Sequence, residues 1–226
     1  MGTRNLTVII KDNEIKLCQY GQWDGYFSVT GVKFLKFVKK NLQGRNVHTG
    51  KKKKRIREHQ KKVFCEKVDL LKGINKKELD CMYKVSDKIG CSEDNKTEFV
   101  IPFQICMPQF SRDTGVEILN IINSLSTLDI PENKYFPVFI NKDGIDWVEF
   151  INVINLDTDE IYMLTNHKFT GESLETCELV KKKLPMNCWY KSKIADIPTI
   201  KEVQKYKESI RLDYYQKENS GAWISY

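Results

Sequence analysis

Leu6-Thr7-Val8-Ile9-Ile10, then Lys11-Asp12-Asn13-Glu14, then Ile15-Lys16-Leu17-Cys18-Gln19-Tyr20 is the stretch that decides the fold. Two apolar, β-branched runs around a short polar segment are the pattern of a β-hairpin. A hairpin returns the end of its second strand to the start of its first. Thr3-Arg4-Asn5 is therefore expected to face Gln19-Tyr20-Gly21-Gln22-Trp23-Asp24-Gly25.

Those two polar groups form the first candidate site. Arg4 offers a planar donor fork, Asp24 an acceptor, and Asn5, Gln19 and Gln22 amides that donate and accept. Thr3, Tyr20 and Trp23 stand among them, and the flanking glycines allow a ligand close to the backbone. The competing structural reading makes Arg4 and Asp24 an ion pair that closes the hairpin, with Trp23 in the core. A second candidate is Ser111-Arg112-Asp113-Thr114-Gly115, ahead of the most apolar helical stretch. Backbone N–H groups at a helix start attract anions, and Arg112 adds charge there; plain capping by Asp113 or Thr114 is the structural alternative.

Outward from the hairpin, Val32, Leu35, Val38 and Leu42 recur at helical spacing, Phe34 and Phe37 widen the stripe, and Gly44 is the expected stop. Asn75 with Glu78, and Thr114 with Glu117, read as helix N-caps with their reciprocal acids. The first opens a helix ending near Gly90; the second carries Val116, Ile118, Leu119, Ile121, Ile122 and Leu125. Strand character returns at Tyr135–Ile140 and Trp147–Leu156, and Asp157-Thr158-Asp159 turns the latter into Glu160–Leu164. Ser173–Leu184 is expected to be a helix stopped by Pro185, and Pro198–Lys217 an amphipathic helix. Two hairpins with four or five helices predict an α+β fold in which a largely antiparallel sheet is covered by helices. At 226 residues, 41% hydrophobic and 11% aromatic, the chain has core enough for a single domain over residues 1–226, and wholesale disorder is excluded.

The net charge of +7 is not spread evenly. Residues 45–63 hold nine Lys or Arg against the single acid Glu58, a local +8, so the remainder is near neutral at −1. Lys51, Lys52, Lys53, Lys54, Arg55 and Arg57 of this basic excursion are the candidates for contacting nucleic-acid phosphates. Residues 45–63 contain no aromatic side chain to stack on bases, so a solvated helix or loop is the plainer reading. The seven cysteines are odd in number and have no C-x-x-C spacing, which points to reduced core thiols rather than a zinc site. His48, His59 and His167 form no ligand pattern; no metal or cofactor is expected. No apolar run is long enough to cross a bilayer and the opening residues lack the order of a signal peptide, so a cytoplasmic protein is expected.

Met1-Gly2-Thr3-Arg4-Asn5-Leu6-Thr7, Gln19-Tyr20-Gly21-Gln22-Trp23-Asp24-Gly25-Tyr26 and Ser111-Arg112-Asp113-Thr114-Gly115 resemble a family of uncharacterised bacteriophage and bacterial proteins, found also in some fungi. The resemblance spans about residues 1–43 and 75–165, with a last shared element from Trp147 to Asp157. Relatives carry a P-x-G-x-G turn after the position of Tyr26, of which Phe27–Gly31 keeps only the final glycine. More distantly, the opening resembles the N-terminal nucleophile (Ntn) hydrolase fold, which implies a layered αββα arrangement. There the catalytic Cys, Ser or Thr must be the first residue, its free amine acting as base. Thr3 meets that condition only after loss of two residues.

The resulting expectation is a phage-type cytosolic protein that binds, with hydrolysis as an open extension, a small polar or anionic ligand of nucleotide-like or amide type. The ligand would sit at the open end of the hairpin, on Thr3, Arg4, Asn5, Gln19, Tyr20, Gln22, Trp23, Asp24, Arg112 and Asp113. Two other readings stand beside it: a nucleic-acid-associated protein using residues 45–63, and an inactive Ntn-like interaction module.

Overall fold

The computed structural model describes residues 3–43, 50–71, 113–124 and 148–210, with helical positions at 77, 80, 81, 84, 85 and 88. Strand β1 (Asn5–Lys11) and strand β2 (Glu14–Gly21) form the expected hairpin, paired antiparallel from Lys11↔Glu14 to Asn5↔Gly21. Its two-residue turn, Asp12-Asn13, has φ 55° at both positions, the geometry that matches the twist of a hairpin and that Asp and Asn tolerate.

Strand β3 (Phe150–Asn155) lies parallel to β1, pairing Asn5↔Phe150 through Ile10↔Asn155. Strand β4 (Glu160–Thr165) follows antiparallel after the Asp157–Asp159 turn, and strand β5 (Asn187–Lys193) is antiparallel to β4. The order β2-β1-β3-β4-β5 gives a five-stranded mixed sheet, antiparallel at every pair except its β1–β3 centre. Residues 5–10 of β1 and all of β3 are buried, the run expected of parallel strands covered on both faces.

On one face Ile9, Leu17, Ile154, Ile161 and Met163 pack against helix α1 (Val32–Asn41), helix α2 (Gly50–Asp69), helix α3 (Ile118–Ser124) and helix α5 (Ile200–Ser209). The anchors there are Phe34, Leu35 and Val38, then Phe64 and Val68, then Ile118 and Ile122, then Val203. On the other face Leu6, Val8, Ile10, Ile151, Val153, Tyr162 and Leu164 meet Val180 of helix α4 (Glu178–Lys183) and Leu184. The described residues thus build one sheet between helical layers, an α+β fold; the second sheet of an αββα arrangement is not among them. None of the described helices is long and apolar enough to cross a membrane.

Several expectations are corrected. Ser173–Leu184 is helical only over Glu178–Lys183, because the Ser173 hydroxyl and the Leu174 amide are used on the Cys188 backbone (2.9 and 2.8 Å). Thr114 precedes a 3₁₀ turn, Gly115–Glu117, without a side-chain cap, and Glu117 instead accepts from Asn120 (2.7 Å) and pairs with Lys33 (3.2 Å). The real capping box is at Thr199 and Glu202, where Thr199 N–H donates to Glu202 Oε2 at 2.7 Å and Glu202 N–H to Thr199 Oγ1 at 3.3 Å. Strand β5 was not anticipated. Of the basic excursion, residues 50–63 belong to α2, a 20-residue helix, and residues 45–49 lie outside the described residues. The helix stop at Gly44, the cap at Asn75 and Glu78, the strand at Tyr135–Ile140 and the continuation to Lys217 lie outside the described residues.

Candidate functional site

Asn5 opens β1, and its side chain is 1% exposed on the helix-covered face. Its amide nitrogen donates to the carbonyls of Gly21 (3.2 Å) and Trp23 (3.4 Å), so it shapes the exit of β2. Glycine at 21 is a steric requirement: a Cβ there would stand 2.7 Å from Asn5 Nδ2 and 2.8 Å from Oδ1. Gly115 approaches from above in a left-handed conformation (φ +46°), where a Cβ would come 3.6 Å from Gly21 Cα. The Gly25 N–H donates to the Thr3 carbonyl at 3.1 Å, closing the turn over the buried Thr3.

Trp23 is 53% exposed, not a core residue, yet its Nε1–H donates to Asp113 Oδ1 at 2.9 Å. That bond joins the two motifs that the sequence analysis treated separately. Tyr20 OH donates to Gln22 Oε1 at 2.5 Å, and Gln19, buried beside Thr7, donates through Nε2 to the Tyr20 carbonyl at 2.9 Å. Asp24 is exposed at φ 52°, and its carbonyl accepts from Thr30 Oγ1 at 2.5 Å. Phe27–Gly31 is a π-helical turn that runs straight into α1, with Phe27 edge-on to Trp189 at 5.4 Å. Tyr26, exposed, tilts against Phe150 with centroids 6.2 Å apart. Arg112 lies outside the described residues.

A group that no sequence motif marks stands at the same end of the sheet. Glu149 precedes β3, and its N–H donates to the Arg4 carbonyl at 3.0 Å. Its carboxylate accepts from the Arg4 N–H (3.4 Å) and meets His167 Nε2 (3.3 Å). Burial works against the Glu149 charge, but the His167 contact, the Arg4 N–H and both residues' charges outweigh it and hold the carboxyl below its ordinary range. The His167 ring also lies 5.3 Å from that of Phe150. Only the Phe150↔Thr165 pairing brings Glu149 and His167 together, which no local spacing announces.

Arg4, Asn5, Gln22, Trp23, Asp113, Glu149 and His167 therefore share one end of the sheet, where cationic, acidic, amide and aromatic groups can meet a polar ligand. Among the five cysteines within the described residues, burial pushes the Cys18 and Cys188 thiols up to about 12, which removes both as nucleophiles near neutral pH. Among the described residues no three His, Cys, Asp or Glu groups are arranged to hold a metal ion. Of the nucleic-acid candidates, Lys51–Lys54, Arg55 and Arg57 lie in the first half of α2. Lys61 is used within the fold, paired with Asp159 at 2.8 Å. Comparison with known proteins found no matching family model, no similar curated protein and no similar solved structure.

Proposed function

We propose that this chain binds a small polar or anionic ligand, nucleotide-like or amide-bearing, over the open end of the β1–β2 hairpin. The observation that carries this reading is Trp23: an indole about half exposed is held in one orientation by its bond to Asp113. An exposed aromatic face held in place offers a planar ligand a stacking surface with little ordering cost. Arg4 and Glu149, at the same end of the sheet, supply charge for a polar substituent. The resemblance of the opening residues supports a phage-encoded setting in a host cytoplasm. Hydrolysis joins this reading only where Thr3 is the first residue, its amine then taking the proton from its own hydroxyl as the oxygen attacks.

The test is calorimetric titration of the protein with AMP and with glutamine, alongside native mass spectrometry of small molecules that co-purify. Saturable binding lost in Trp23→Ala, with the fold intact, is the expected result. Binding unchanged in Trp23→Ala, or none to either probe and no co-purifying molecule, overturns it in favour of an interaction module.

A second reading has its own observation. The helix whose last turns pack Phe64 and Val68 into the core begins at Gly50, and its first eight residues include six Lys or Arg. A continuous basic helix anchored at its far end suits phosphate contact.

A further inference from the structure

One row of residues crosses the helix-covered face of the sheet in strict register: Gln19↔Thr7 on β2 and β1, then Thr7↔Asn152 on β1 and β3. Asn5 stands two residues before Thr7 on the same face. Thr7 is 0% exposed and Asn152 4% exposed. Neighbours across the ladder lie about 5 Å apart, and Asn5 and Thr7 about 7 Å apart along β1. Three polar atoms of this patch are buried without a hydrogen-bond partner: Asn5 Oδ1, Thr7 Oγ1 and Asn152 Nδ2. Buried polar groups are ordinarily satisfied, because each one left unpaired forfeits the hydrogen bonds it made to water. Three on one patch, in adjacent strands, call for a common guest.

The chemistry of the three atoms describes that guest. Asn5 has only its Oδ1 acceptor left to offer, since its amide nitrogen is already spent on the Gly21 and Trp23 carbonyls. Asn152 Nδ2 only donates, and Thr7 Oγ1 does either. The guest must therefore donate at one point and accept at another, towards residues that are diagonal neighbours about 7–8 Å apart in the sheet. None of Asn5, Thr7, Gln19 and Asn152 is charged, so an anion placed there would be buried without a counter-charge, at heavy cost. We infer that the buried patch of Asn5, Thr7 and Asn152 takes the neutral donor–acceptor edge of an amide, lactam or nucleobase, and rejects carboxylate and phosphate. This deepens the ligand-binding reading and rests on it. Of the ligand types named there it selects the amide-like edge for the interior, leaving any charged substituent to the rim near Arg4. Among the described residues, Gly115 stands at this end of the sheet, where a Cβ on it would come 3.9 Å from Asn5 Oδ1.

The experiment is a titration of the full ¹⁵N-labelled chain with uracil and acetamide, and with acetate and inorganic phosphate as anionic controls, followed by ¹H–¹⁵N correlation spectra. The side-chain amide signals of Asn5 and Asn152 are expected to shift saturably with uracil and acetamide and to stay unmoved by the two anions. Thr7→Val, which keeps the shape and deletes the hydroxyl, should weaken uracil binding about fivefold. Thr7→Ser should restore it, so a fold defect in the valine variant cannot pass for loss of a contact. A response confined to the Trp23 indole signal overturns this inference while leaving the rim reading standing. Equal response to acetate, or no response of the Asn5 and Asn152 amides because the patch holds only water, overturns the inference as well. No binding of any probe at either place removes both.

Discussion

Trp23 Nε1 donates to Asp113 Oδ1 across 2.9 Å, a bond between residues 90 apart that fixes the exit of β2 against the turn in front of α3. An exposed residue contributes little to stability through such a bond, so its worth is in orientation. Asp113→Ala should cost about 0–1 kcal/mol by denaturant unfolding. It should nonetheless weaken AMP or glutamine binding severalfold, as measured by calorimetry. Unchanged affinity would show that the indole needs no fixing.

Gly21→Ala forces a methyl to within 2.7 Å of Asn5 Nδ2. With Asn5 buried, relief means pushing its amide off its bonds to the Gly21 and Trp23 carbonyls, and a loss of about 1–3 kcal/mol is expected. The double variant Asn5→Ala, Gly21→Ala should be less destabilised than the sum of the two single changes. Strict additivity in a double-mutant cycle would refute the steric account.

The two turns at the other end of the sheet are tied by one side chain. The Asp157 carboxylate accepts from the N–H groups of Asp12 and Asn13, each at 2.8 Å. These are charge-assisted bonds to amides held in a left-handed turn, so Asp157→Ala should cost about 1–2 kcal/mol. Asp157→Asn, which keeps one acceptor oxygen, should cost less. Urea unfolding of both variants checks the order.

Glu160 sets the acid limit of one corner. Burial opposes its charge, but hydrogen bonds from Tyr162, Lys193 and Thr158 and the charge of Lys191 win, and hold its carboxyl down at about 2. A depressed folded-state value means that the stabilisation is complete above the ordinary value of 4.5 and is lost as pH falls from there towards about 2. The difference in melting temperature between wild type and Glu160→Gln should therefore be largest near neutrality and shrink steadily through that acid window. A pH-independent difference would mean that the Glu160 charge is not the cause.

Salt separates the two functional readings. If about five cations of α2 contact duplex phosphates, log K should fall against log salt with a slope near about −4.5. Weak, sequence-independent binding that is largely gone at physiological salt is expected, with the slope flattened when Lys51–Lys54 and Arg55 are neutralised. Tight binding at physiological salt, abolished by that neutralisation, would make the nucleic-acid reading the better one.

What the sequence disclosed followed the range of the interactions. The β1–β2 hairpin was legible because its turn chemistry, Asp12-Asn13 between two apolar β-branched runs, is local. The Asp157–Asp159 turn and the α1 stripe were legible for the same reason. β5 was not, because a bulge between Met163 and Leu164 breaks the alternation opposite Cys188, Trp189 and Tyr190, and Pro185 suggested a boundary instead. The helical spacing of Leu174, Cys177 and Leu184 imitates a longer α4, but the Ser173 and Leu174 contacts with the Cys188 backbone override it. At the site, Asn5, Gln19, Gln22 and Trp23 could be named from hairpin geometry. Glu149 and His167 could not, since they meet through the register of two strands that pair far from the first motif.

The parallel pairing of Asn5 with Phe150 also bears on how the chain is made. β1 leaves the ribosome 145 residues ahead of the strand that must cover its second side, the separation spanned by the Arg4–Glu149 contact. At about 5–20 residues per second, the nascent hairpin waits roughly 7–30 seconds with one hydrogen-bonding edge bare. Leu6, Val8 and Ile10 add an apolar sheet face beside that edge, and the bare edge and that face together are what an unfinished chain must keep from pairing wrongly.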